Sequence, residues 1–210
     1  MSLLRKIWHW VRWPLAVLVV FYIALVLYRI PAVSEQQHTQ EVVAKIRAQK
    51  ITFSDVMGNV LPPTPNKEEN DATVEGIDKN NNGIRDDVEL AIFALHPTSA
   101  KIRAAELQYA MTEQMFLTEV FNTETWKAVA VQDDRAYRCI SDVYPKTNTT
   151  QPRDVKKYIE VTDGWISEIK KLVLNTQLRK DTEYKASLFT TSYGSSGENS
   201  CDIDLNTLPN

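Results

Sequence analysis

From Trp13 to Tyr28 the chain runs for sixteen residues without a charged side chain. In lipid, backbone N–H and C=O groups find no water to bond, so a lone segment of this kind is restricted to a helix. At 1.5 Å per residue it spans about 24 Å, against a hydrocarbon core of about 30 Å. Arg12 and Arg29 flank it and make up the difference by reaching outward with their charged heads. Trp8, Trp10 and Trp13 stand where an interfacial aromatic belt belongs, with Tyr28 at the other end. Pro14 falls in the first turn, where a missing N–H costs nothing. Residues 1–30 are therefore expected to form a short tip and one transmembrane anchor. The competing reading is a cleaved signal peptide. Arg29-Ile30-Pro31-Ala32-Val33-Ser34 is a poor small-x-small site and no lipobox cysteine exists, which favours the anchor.

Charge gives the anchor a direction. Arg5, Lys6 and Arg12 precede it and no Asp or Glu appears before Glu35, so the N-terminus is expected in the cytoplasm and everything after residue 31 outside it. Setting aside Arg5, Lys6, Arg12 and Arg29 leaves 20 basic residues against 27 acidic ones. That balance excludes the basic footprint that nucleic acid demands, and no nucleic-acid motif is present. The two cysteines, Cys139 and Cys201, form no CxxC and have no histidine cluster beside them. One disulfide in an oxidising compartment is expected; two buried thiols are the alternative.

The second strong signal is Asp78-Lys79-Asn80-Asn81-Asn82-Gly83-Ile84-Arg85-Asp86-Asp87-Val88-Glu89. It satisfies the twelve-position pattern D-x-[DN]-x-[DN]-G-x5-E throughout. Ca²⁺ takes six to eight hard oxygens. Asp78, Asn80 and Asn82 offer side-chain oxygens, Ile84 its carbonyl, Asp86 an oxygen directly or through water, and Glu89 two oxygens. Gly83 permits the sharp turn. The bland alternative is a polar Asn/Gly turn before a helix, which needs neither the first Asp nor the last Glu. The motif resembles the EF-hand loop over these twelve residues and the helix after them. It departs in two ways: the preceding run is rich in proline, and position 8, usually apolar in paired hands, is Arg85. It is therefore similar to the single, loop-plus-exiting-helix variant of bacterial extracytoplasmic proteins such as dockerins. The stretch from Leu61-Pro62-Pro63 to Glu89 also resembles uncharacterised bacterial envelope proteins. The resemblance implies a calcium ion and an extracytoplasmic address, and no activity. A structural ion fixing the proline-rich segment against the following helix is expected.

The rest reads as all-α: a bundle of about four helices with this EF-hand-like loop, preceded by one transmembrane helix. Residues 31–50 are expected to be a helical stalk, or a partner-binding helix, and 51–77 an irregular proline-rich linker. The loop occupies 78–89 and the helical domain 86–189. The first helix, Asp86 to Leu95, places Val88, Ile92 and Leu95 inward and ends at His96-Pro97. The second, capped by Thr98 or Ser99, runs to about Asn122 with Ile102, Ala105, Tyr109, Phe116 and Val120 inward. The third starts at Thr123 or Thr125, places Trp126, Ala130, Tyr137, Ile140 and Tyr144 inward, and stops at Pro145. The fourth runs from Pro152 or Arg153 to about Leu178, with Val155, Ile159, Ile166, Ile169 and Val173 inward; residues 180–189 are a candidate extension. Residues 190–210 read as a tail tied back by Cys201.

Catalytic chemistry is not legible. His9, His38 and His96 are scattered, and His96 before Pro97 reads as a helix terminator. Gly194-Ser195-Ser196-Gly197 lacks the spacing of a nucleophile elbow. Asp133-Asp134 are neighbours that do not face each other on a helix, so solvated charge is the default. Asn148-Thr149-Thr150 fits a glycosylation sequon. The expected function is a calcium-binding protein of the bacterial inner membrane, crossing once, with its domain in the periplasm and a protein partner. An immunity-type toxin inhibitor is one concrete form; an envelope enzyme with a non-local site and a structural envelope component are the alternatives.

Overall fold

The apolar run lies within one helix, α1, Ser2–Ala48, which continues through Pro14 and Pro31. The computed structural model describes residues 2–59, 61–143 and 152–209, and only the backbone of residues 2–7, 9–11 and 152–154. Residues up to Val42 form one unit and Val43–Asn210 a second. In the first unit the side chains from Trp13 to Val33 are exposed, and α1 is long and apolar enough to cross a membrane. The expected stalk is no separate element, because it continues the same helix to Ala48.

Beyond the end of α1, the second unit contains seven α-helices, one short 3-10 helix (Leu205–Thr207) and no strand among the described residues. Two of them, α2 (Phe53–Met57) and α3 (Lys67–Asp71), lie inside the segment expected to be irregular. Five-residue helices are too short to show a period, so capping specifies them. Thr52 accepts from Asp55 N while Asp55 Oδ2 accepts from Thr52 N at 2.7 Å, a reciprocal box that satisfies two orphan donors. Asn66 Oδ1 accepts from Glu69 N at 3.1 Å. Helix α4 (Asp86–Leu95) follows the twelve-residue loop.

Helix α5 (Ala100–Thr118), capped by Ser99, is the central element. It packs against α2, α4, α6 (Thr123–Val143), α7 (Pro152–Val173) and α8 (Gln177–Ser187), most extensively against α6. Helices α7 and α8 are separate: the chain breaks at Leu174–Thr176, and Thr176 caps α8 by accepting from Arg179 N. The expected core faces are confirmed at Val88, Ile92, Ala105, Tyr109, Trp126, Ala130, Ile140, Ile169 and Val173, all buried. Leu95, Tyr137, Val155 and Ile159 are exposed instead. Tyr144, Pro145, the polar loop 146–151 and the sequon Asn148-Thr149-Thr150 lie outside the described residues.

Cys139 and Cys201 form a disulfide across 62 positions. It does not hold the tail alone. Arg135 donates to Asn199 O at 2.9 Å and to Asp202 Oδ1 at 2.9 Å. Gln108 donates to Ser200 O and accepts from Asp202 N, both at 2.8 Å, as a peptide unit would.

Candidate functional site

The loop 78–89 is closed by hydrogen bonds to its own side chains. Asp78 Oδ1 accepts from Asn82 N at 3.3 Å and Oδ2 from Gly83 N at 2.9 Å. Asn82 Oδ1 accepts from Ile84 N at 2.9 Å. The turn runs through two left-handed residues, Asn81 at φ +57° and Gly83 at φ +83°. Asp86 N donates to Ile77 O at 2.8 Å, bringing the two ends together, and Asp86 Oδ1 accepts from Lys79 N at 3.0 Å.

Two oxygens at this centre stand out. Asp86 Oδ2 and Asn80 Oδ1 are buried and have no hydrogen-bond partner. Buried polar atoms in this condition are uncommon in proteins. Next to them, Glu89 is fully buried, and its Oε2 accepts only amide donors, Asn80 Nδ2 at 2.9 Å and Asn82 Nδ2 at 3.1 Å. Burial pushes the Glu89 carboxyl up to about 7 and raises Asp86 as well. The candidate residues therefore sit together, with Ile84 buried among them, but their oxygens do not all converge. Asn80 and Asn82 turn nitrogen toward Glu89. Among the described residues no three His, Cys, Asp or Glu side chains are grouped as a metal-ligand set.

Arg85, the residue that breaks the usual pattern at position 8, is fully buried. It donates to Leu172 O at 2.7 Å and Val173 O at 3.1 Å, the C-terminal carbonyls of α7, and pairs with Asp87. A cation at a helix C-terminus meets the negative end of its dipole. Arg179 clamps the segment before the loop: it donates to Val74 O at 3.1 Å and Thr73 O at 3.0 Å and pairs with Asp71 at 3.2 Å. The loop is thus bolted to the bundle by guanidinium groups where paired hands would use a strand.

A second polar centre was invisible in the sequence. Along α5, Arg103, Glu106, Gln108, Thr112, Glu113 and Gln114 are all buried. Glu113 Oε1 lies 3.2 Å from Lys170 Nζ of α7, and Thr112 Oγ1 donates to Asp133 Oδ1 of α6 at 3.3 Å. Burial raises Glu113, and burial together with Glu113 raises Asp133 to about 7. Asp133 is therefore no solvated member of an acidic pair, whereas Asp134 does face outward, to Arg138 and Ser195. His96 caps α4 as expected, and its Nε2 also lies 3.0 Å from Glu106 Oε1. Burial lowers the imidazole and raises Glu106 to about 8, so burial disfavours charge on both members of the contact. The signal for this centre was present only as the polar composition of α5, which suits a solvated helix equally well.

No family model, curated protein or solved structure matches this chain.

Proposed function

We propose that this chain is a calcium-binding protein anchored by α1 in a bacterial inner membrane, with its helical unit in the periplasm, where it engages a protein partner. The observation that supports the ion is the pair of unpartnered buried oxygens, Asp86 Oδ2 and Asn80 Oδ1, beside a Glu89 carboxyl that meets no cation. Asp78, Asn80, Asn82, the Ile84 carbonyl, Asp86 and Glu89 would hold the ion. This donor set is all oxygen, which suits a hard cation. A half-turn of the Asn80 and Asn82 amides about Cβ–Cγ replaces nitrogen by oxygen toward Glu89, at the expense of the Asn82–Ile84 hydrogen bond. When bound, the ion supplies positive charge to carboxylates that burial otherwise disfavours. The apolar helix, the positively charged tip and the disulfide support the address.

Calorimetric titration of the full chain with CaCl2 is the test. One saturable event and a raised melting temperature are expected, both lost in Glu89→Gln. Absence of heat and of any thermal shift removes the ion from this reading. For the address, alkaline phosphatase fused to the C-terminus should be active; an inactive fusion beside an active cytoplasmic reporter overturns it.

A further inference from the structure

An EF-hand loop supplies its ligands from within its own twelve residues. Here residues from outside the loop reach it as well. A cleft of about 910 Å³ opens beside it, with Asp78, Asn80 and Asn82 in the lining. Gln49, just after α1, packs against Gly83, and Asp55 of α2 lines the same cleft. The Asp55 carboxylate is held by the capping box: Oδ2 accepts from Thr52 N and from Thr52 Oγ1, both at 2.7 Å. Both bonds fall on Oδ2. The box therefore fixes the side chain and leaves Oδ1 for another partner.

Asp55 is short of a positive partner. It forms no ion pair among the described residues, and the cations that line the cleft are engaged elsewhere. Lys45 Nζ lies 2.6 Å from Glu119 Oε1, Lys50 pairs with Asp202 at 3.4 Å, and Arg85 pairs with Asp87. What Asp55 faces is another acid. Its charge is felt at Glu89 more strongly than that of Asp86, although Asp86 belongs to the loop and Asp55 does not. Like charges so placed repel each other. Asp86 adds a buried oxygen, Oδ2, that has no hydrogen-bond partner. A cation among these three carboxylates turns each repulsion into an attraction.

We propose that Asp55 is a further member of the calcium site, its carboxylate adding one negative charge to those of Asp78, Asp86 and Glu89. Ligand charge is one of the quantities that tune calcium affinity in such loops. The ion then ties α2 to α4 across the proline-rich segment between them. The assignment rests on the calcium reading of the loop and extends that site to a residue the twelve-position pattern does not contain.

The test is calorimetric titration of the full chain with CaCl2 in phosphatidylcholine nanodiscs, comparing the wild type with Asp55→Asn and Thr52→Ala. Asn keeps an oxygen for Thr52 N, so Asp55→Asn removes the charge and retains the cap. Its melting temperature in chelator is expected to be no lower than that of the wild type, because a repulsion at Glu89 is gone. Its calcium affinity is expected to fall about tenfold. Thr52→Ala weakens the cap and keeps the charge, so its affinity is expected to stay within about twofold of the wild type. Equal affinity in the wild type and Asp55→Asn overturns the assignment and leaves the loop's own site standing. So does a loss in Thr52→Ala as large as that in Asp55→Asn, which traces the effect to the fold of α2. No saturable heat in the wild type overturns the calcium reading itself, and the role of Asp55 with it. If Asp55→Asn does not fold, Asp55→Ser, which also offers an oxygen to Thr52 N, decides.

Discussion

Gly76 and Gly83 both sit in the left-handed region, at φ +67° and +83°, yet they differ in what surrounds them. A Cβ on Gly76 would overlap Arg85 Cδ and stand 2.7 Å from Asn70 Oδ1. Neither neighbour can yield: Arg85 is locked on the α7 carbonyls, and Asn70 Oδ1 accepts from Ile77 N at 2.9 Å. A Cβ on Gly83 meets only the end of the Gln49 side chain, which can swing away. Gly83→Ala is therefore expected to lose about 1–2 kcal/mol, from backbone strain alone, and Gly76→Ala about 3 kcal/mol or more. Guanidinium unfolding of the two variants checks the order; equal losses would mean that Arg85 is free to move.

Among elements, α5 and the face of α6 packed on it set much of the pH response, beside Glu89 of α4. Glu113, Asp133 and Glu106 all have carboxyls raised by burial, the last two to about 7 and about 8. The folded chain holds protons there that the unfolded chain has released, so stability falls as pH rises. Their contribution is complete below the ordinary carboxylate range and is lost as pH climbs through about 7 to 8. His96, lowered by burial and by Arg103, acts oppositely below its ordinary value of 6.5. In chelator, the denaturation midpoint is expected to fall from about pH 6.5 to about pH 8.5, and Glu106→Gln should flatten the upper part of that slope. Lys170 opposes the loss by facing Glu113. Breaking a buried pair costs about 3–5 kcal/mol. The Lys170 side chain is 42 % exposed, so Lys170→Met is expected to lose less, about 1–3 kcal/mol. That loss should be greater at pH 8 than at pH 5 and should be relieved by adding Glu113→Gln. A pH-independent loss would assign Lys170 to packing.

At the scale of the whole molecule, the tail closes the second unit. A cross-link over 62 positions stabilises by about 4 kcal/mol through the unfolded chain. Cys139→Ala/Cys201→Ala should lower the unfolding free energy by about that amount, measured in denaturant. Gln108 and Arg135 should nonetheless keep the tail resistant to protease. Adding Arg135→Ala should expose it. Cleavage in the cysteine variant alone would show that the disulfide is the tail's main attachment.

The long apolar helix, the all-helical class and the cysteine pair were legible in the sequence because each is written locally, by composition or by period. The loop's Gly83, Asp78 and Glu89 were legible for the same reason: their spacing is fixed within twelve residues. Tertiary packing alone decided that α5 would be buried on every side, because neighbours from α2, α4, α6, α7 and α8 surround a helix whose own sequence suits water as well as a core. It also decided the fate of Arg85, whose guanidinium finds its carbonyls 87 and 88 positions away. Polar side chains carry no mark of the partner that will satisfy them, and only the folded chain brings that partner within hydrogen-bonding reach.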